Sequence, residues 1–159
     1  MRKLLVLGAG IYQVPLIETA KKMGIYTIVA SIKGNYPGFS IADKVYYENT
    51  IDFNAVLKIA KEEKICHYLD IPIQHASDRI LKRMGRRTNQ ASIRQMIHKL
   101  REEIPDIALR TTLISGFPGE TKEDHEELME FVNEMEFERL GVFPYSPEEG
   151  TPAASFPEP

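Results

Sequence analysis

Gly8-Ala9-Gly10-Ile11 follows an apolar run and precedes a helical one. A phosphate loop would sit there, because unpaired N–H groups at a helix start favour anions. The full dinucleotide pattern is missing: Gln13 stands where a third glycine belongs, and Ser31 where an acidic ribose-binding residue is expected. A tight packing turn is the first reading of this loop and weak anion binding the second. Further along, Asp70, Gln74, Arg110 and Glu120 are polar groups at or near apolar strand-like runs. An unpaired buried carboxylate is costly, so Asp70 should find a partner or lie near an opening; inherited structural polarity is preferred to catalysis for all four. His67, His75, His98 and His125 each lack a second ligand at metal spacing, so no metal site is expected. Cys66 is the one cysteine, which excludes an internal disulfide and a cysteine-ligated cluster built from this chain alone. Arg79, Lys82, Arg83, Arg86, Arg87 and Arg94 form a basic stretch without interleaved aromatics, which reads as a solvated helix face and not as a nucleic-acid site.

Alternating strand and helix signals must position these groups. Lys3 to Leu7 is a short buried-strand run, and Tyr12 to Met23 has helical spacing closed by Gly24. Tyr26 to Ala30 is a second strand ending near Ser31, after which the Gly and Pro residues of Lys33 to Gly38 argue against regular structure. Lys44 to Tyr47 makes a third strand, and Asp52 is placed to cap a helix through Lys64 with Phe53, Val56, Leu57 and Ala60 on one face. The second half continues with a strand at Tyr68 to Ile73, a short helix at Ser77 to Met84 and a longer one at Gln90 to Glu103. A fifth strand at Leu109 to Ser115, a helix at Glu123 to Glu136 and a sixth strand at Leu140 to Phe143 follow, and the proline-rich tail from Pro144 should lie over the surface or fray. Six strands separated by helices predict an α/β, three-layer Rossmann-like fold with one six-stranded parallel sheet, because parallel neighbours need crossover helices. The expected order is 3-2-1-4-5-6.

The chain has 159 residues, 43% of them apolar and 27% charged, enough for one domain with a real core. Its apolar runs are far shorter than the ~20 residues of a membrane helix, so a soluble, cytoplasmic protein is expected, with no membrane partner. A net charge of −3 gives no field that would gather nucleic acid.

Residues 1 to about 64 resemble the N-terminal, pre-ATP-grasp domain of ATP-grasp ligases. The resemblance is carried by Leu4 through Gln13, Gly24 through Val29, Pro37-Gly38 and Ala42-Asp43-Lys44. In that family the nucleotide-gripping fold lies further along the chain, and nothing like it follows here. Residues 65 to about 154 resemble the radical S-adenosylmethionine methylthiotransferases, most closely the branch that modifies an aspartate of a ribosomal protein. The matching stretches are Tyr68 through Asp78, Arg110 through Thr121 and Phe143 through Thr151. That resemblance implies later strands of a partial (β/α) barrel, with Gly116 to Glu120 at a strand's C-terminal end near the cofactor. It also calls for three cysteines at CxxxCxxC spacing, which this sequence does not hold.

Taken together, these resemblances lead to the expectation of a recombined single-domain scaffold joined near Ile65: residues 1–64 from one source, 65–154 from the other, and a tail at 155–159. On that expectation it is not an enzyme, has no evolved function, cofactor or partner, and at most binds an anion or nucleotide weakly or retains residual S-adenosylmethionine binding. The seam residues Ile65 and Cys66 should be buried. Any ligand should occupy the crevice at the C-terminal edge between strands one and four, where the connecting chains diverge. Gly8, Ala9, Gly10 and Ile11 would border it on one side, Gln74 and His75 on the other, with Gly116 nearby.

Overall fold

The computed structural model describes residues 2–61 and 65–156. They fall into two compact units, Met1–His67 and Tyr68–Pro159. Both are α/β with parallel strands, as the alternation of signals predicts.

In the first unit β1 (Lys3–Leu7), β2 (Tyr26–Ser31) and β3 (Lys44–Tyr47) pair in parallel with β2 central. The period-two alternation of β2 sends Val29 into a cluster with Val6, Ala9 and Ile17 of α1 (Val14–Lys22). Ile28 and Ala30 join a second cluster with Ile59 of α3 (Phe53–Ala60) and Ile65. Each fully buried isoleucine contributes roughly 1.5–3 kcal/mol. Asp52 caps α3 by accepting from the N–H groups of Asn54 and Ala55, as its position suggests. The helical face differs from expectation in that Ile59 is buried, along with Leu57; the remainder of the expected helix, residues 62–64, lies outside the described residues. Pro37 gives a second departure. It opens a short helix, α2 (Pro37–Ile41), inside the stretch expected to be irregular. Proline suits a first helical turn, where its missing N–H would have had no acceptor. Asp43 ties the unit together: its carboxylate accepts from the Thr27 N–H and hydroxyl, both at 2.8 Å, and from Lys21 Nζ at 2.8 Å. The Lys21 and Thr27 bonds hold its pKa down at about 2.

In the second unit β4 (Tyr68–Asp70), β5 (Ala108–Ser115) and β6 (Arg139–Pro144) pair in parallel with β5 central. α4 (Asp78–Arg83), α5 (Gln90–Glu103) and α6 (Lys122–Met135) bury Ile80, Leu81, Ile93, Ile97, Leu100, Leu128, Phe131 and Met135. β5 alternates, with Leu109, Thr111 and Leu113 buried. Capping boxes start the two longer helices, Asn89 with Ser92 and Thr121 with Asp124. β4 stops at Asp70 rather than Ile73 because, after Ile71 N–H donates to Arg110 O, the Ile73 N–H turns to the Thr111 hydroxyl instead of a β5 carbonyl. Pairing with β5 resumes only at Gln74, held at φ 74°, whose N–H donates to Thr112 O.

The strands thus form two three-stranded sheets, ordered β1-β2-β3 and β4-β5-β6. Within each, the order is the one expected. A ladder joining β1 to β4 in a single six-stranded sheet is not among the pairings of the described residues; β1 instead makes an isolated parallel bridge from Lys3 to Ile65. Ile65 is buried there as expected, but Cys66 is exposed, because the chain leaves the bridge before β4 begins. Through Phe156, the last described residue, the tail lies over the second unit, the first of the two expected alternatives. A 3-10 turn at Pro152–Ser155 leads to Phe156, whose ring packs edge-on against Phe117 and under the Arg83 guanidinium. No helix among the described residues is long and apolar enough to cross a membrane.

Candidate functional site

The loop after β1 and the turn after β5 both have glycines with positive φ, at Gly8 (95°) and at Gly116 and Gly119 (75° and 83°). In the β1 loop the space beside the glycines is filled from within. The Gln13 side chain lies 3.4 Å from where a Gly8 Cβ would be, and its Oε1 3.2 Å from that of Gly10. The backbone is engaged too: Gly8 N–H donates to Ala30 O, and Ala9 O accepts from Gly38 N–H. Gly38 approaches so closely that a Cβ there would stand 2.9 Å from Ala9 O. Ala9 is buried and Ile11 exposed.

The turn after β5 is built around a carboxylate. Glu120 folds back so that its Oε2 accepts from the N–H groups of Gly116 at 2.6 Å and Phe117 at 2.9 Å. Its Oε1 faces two imidazoles, His125 Nδ1 at 3.0 Å and His75 Nε2 at 3.7 Å. A Cβ on Gly116 would meet nothing within 4 Å, so this edge of the turn is open. Thr121 then caps α6 together with Asp124. Asp124 is buried and accepts from Ser77 Oγ at 2.7 Å, from Thr121 and from Arg79. Burial alone would raise its pKa, but the bonds from Arg79, Ser77 and Thr121 outweigh that and hold it well below the usual carboxylate range. Arg79 also donates to Gly119 O at 2.6 Å, fastening α4 to the turn.

A cavity of about 380 Å³ lies within the second unit, lined by Gln74, Arg83, Arg86, Ile114 and Phe117 and closed by Thr151 to Phe156. The Nε of Arg83 is buried and makes no hydrogen bond among the described residues. The guanidinium rests on Gly119, where a Cβ would stand 3.1 Å from Nε.

Of the expected crevice residues, Gly8, Ala9, Gly10 and Ile11 belong to the first unit and Gln74, His75 and Gly116 to the second. Gln74 lines the cavity, and His75 and Gly116 both meet Glu120. Asp70 is half-exposed and paired across the strands with Arg110. His67 and His98 do not join the Glu120 group. The basic stretch is largely engaged inside the unit: Arg79 on Asp124, Arg94 on Glu134 and over the Phe131 ring, and Arg86 on the Pro72 carbonyl. Sequence reasoning passed over Asp124 and read Arg83 as part of a solvated helix face, whereas its Nε is buried. A capping-box threonine three residues before Asp124 was the available signal for the first. Nothing local marked Arg83, whose surroundings come from a tail far along the chain.

Parallel strands, covering helices and a glycine turn at a strand's C-terminal end define the α/β class of domain. Comparison with known proteins narrows this. The Radical SAM superfamily profile matches residues 38–132, and the chain belongs to that family. It is 68% identical over 108 residues to the ribosomal protein uS12 methylthiotransferase RimO of Lachnoclostridium phytofermentans, covering 68% of this chain and 24% of that protein. Against the RimO of Geobacter sulfurreducens the identity is 59% over 112 residues, 70% of this chain and 25% of the relative. The chain therefore spans about a quarter of the length of these relatives. Among solved structures, a UDP-glucose 4-epimerase superposes with TM-score 0.52 at 14% identity, covering 91% of this chain and 51% of the other. Streptococcus suis SuiB bound to S-adenosylmethionine gives 0.51 at 14% identity, covering 99% and 32%. At these identities the likeness is one of fold.

These matches correct the expectation of a recombined scaffold with no function and no place among enzymes. Identity of 68% to a methylthiotransferase marks an evolved enzyme lineage. The family match runs from residue 38 to residue 132, across the expected join near Ile65. The family also implies an iron–sulfur cluster on three thiolates. The donor set does not fit it, since Cys66 is the chain's one cysteine.

Proposed function

We propose that this chain is part of a radical S-adenosylmethionine methylthiotransferase of the uS12-modifying type, and that its second unit forms a binding edge for S-adenosylmethionine. The carrying observation is the cavity beside the Gly116–Glu120 turn, where a buried arginine nitrogen without a hydrogen bond meets apolar walls. Such a site suits a ligand with a flat apolar body and a carboxylate. Arg83 and Arg86 would take the carboxylate, Ile114 and Phe117 the apolar part, and Gln74 would supply a polar contact. When bound, S-adenosylmethionine brings a sulfonium centre that this chain's residues would orient and shield from water. Residues 1 to about 64 have a separate reading: their likeness to the pre-ATP-grasp domain, carried by Leu4 through Gln13, Gly24 through Val29, Pro37-Gly38 and Ala42-Asp43-Lys44, supports a Rossmann-like character for this part.

Calorimetric titration with S-adenosylmethionine tests the proposal. Binding should be weak and about tenfold weaker in Arg83→Ala, as for loss of one charge-assisted contact. Heat indistinguishable from buffer with millimolar ligand, in folded protein, would contradict it.

A further inference from the structure

His75 is wholly buried, and the proposed function gives it no contact with ligand. Its Nδ1 accepts the Ser77 N–H at 3.0 Å. Desolvation pushes its pKa down against the opposing pull of Glu120, so the ring is neutral near pH 7. A neutral imidazole with an accepting Nδ1 carries its proton on Nε2. That nitrogen makes no hydrogen bond among the described residues, and Glu120 Oε1 lies in front of it at 3.7 Å.

We propose that His75 is the positioning residue of the Gly116–Glu120 turn, acting through Glu120. The assignment rests on reading this turn as the ligand-facing edge. Glu120 can close the turn only when Oε2 points at the Gly116 and Phe117 N–H groups, which fixes where Oε1 must lie. Two imidazole nitrogens lie near Oε1, and only that of His125 is within hydrogen-bond distance; His75 Nε2 stands at 3.7 Å. His125 bonds it at 3.0 Å, but its side chain is 46% exposed and its Nδ1 also faces Ser115 Oγ at 3.3 Å, so Ser115 and solvent compete for that contact. His75 has no such freedom, because its ring is enclosed and locked by Ser77. It therefore acts as a fixed stop that sets the carboxylate's rotation and, through it, the turn. Asp124 and Glu127 are the other charged groups in its field; both favour the charged ring against desolvation, and neither accepts a hydrogen bond from Nε2. Gln74-His75 thus has two roles: Gln74 lines the cavity, while His75 holds the opposite strand's turn in place.

Two substitutions separate positioning from simple core filling. Asn in His75→Asn can imitate Nδ1 but cannot reach Glu120; Gln in His75→Gln places an N–H near the Nε2 position. Amide hydrogen exchange in the full chain should show Gly116 and Phe117 exchanging about tenfold faster in H75N, because a carboxylate without its stop leaves their N–H groups more often. Leu109 and Leu113 should be unchanged, and H75Q should restore protection. Equal loss in both variants, or loss spread over the core amides, would overturn the proposal. So would unchanged exchange in H75N. Nitrogen chemical shifts of the wild-type imidazole provide a check that needs no variant: an Nδ1–H tautomer would also overturn it. Titration with S-adenosylmethionine tells the two readings apart. If Gly116 and Phe117 respond to H75N as expected but the wild type binds no S-adenosylmethionine, the positioning role stands and the ligand assignment fails.

Discussion

The loop after β1 and the turn after β5 begin alike, with a parallel strand running into glycines at positive φ, and end differently. Gln13 folds over the first, and its neighbouring backbone groups pair with Ala30 and Gly38. In the second, a carboxylate takes the turn's N–H groups from behind and leaves the Gly116 edge open beside a cavity. Glycine spacing announces a sharp turn in both cases. Whether that turn is a site depends on which groups fill it, and those come from elsewhere in the chain.

Removing the support of the open turn should have the largest effect. Asp124→Ala leaves Ser77, Thr121 and Arg79 without their shared acceptor in a buried place, and should cost about 3 kcal/mol. Denaturant unfolding measures it. A loss well under 1 kcal/mol would mean that the network is not what joins α4, α6 and the turn.

The filled loop can be broken by adding one methyl group. Gly38→Ala would bring Cβ to 2.9 Å from Ala9 O and 3.1 Å from Ile17 Cδ1, contacts that side-chain rotation cannot relieve on the backbone side. A loss of about 1–3 kcal/mol is expected by the same assay. Gly85→Ala has open space around it and should cost only what positive φ imposes, about 1 kcal/mol.

Acid distinguishes the units more gently. Asp43 in the first has its pKa lowered from 3.8 to about 2, so its contribution is present above pH 4 and is lost as the pH falls towards 2. His75 in the second is buried neutral with its pKa lowered from 6.5, so the unfolded chain binds the extra proton and stability declines as the pH drops below 6.5. Melting temperature against pH should be flat near 7 to 8, slope gently below 6.5 and fall steeply below 4. His75→Gln should remove the gentle slope and leave the steep one.

Much of this architecture was legible in the sequence. The limits of β1, β3 and α5 follow from apolar period and caps, because those signals are local. Other features depended on distant residues. Pro37 and Gly38 looked like loop chemistry, yet Pro37 suits a helix start and Gly38 is required by Ala9, which lies far back in the chain. Phe156 belongs to a tail with no periodicity, and only Phe117 and Arg83 give it a place. Glu120 was visible as a polar residue near a strand and His75 as a border of the expected crevice, but their meeting depends on how β4 and β5 pair. The family was readable from Tyr68 onward. The lack of a cysteine triad pointed away from an enzyme, whereas the family match, residues 38–132, rests on the fold and sequence of the other residues.

The comparison of the two turns is tested most directly by residue-resolved amide shifts during titration of the whole chain with S-adenosylmethionine. Gly116, Phe117 and Gln74, beside the cavity, should move together with one saturation curve, while Gly8, Gly10 and Ile11 stay in place. Shifts centred on Gly8 to Ile11, or none at either turn, would contradict the account.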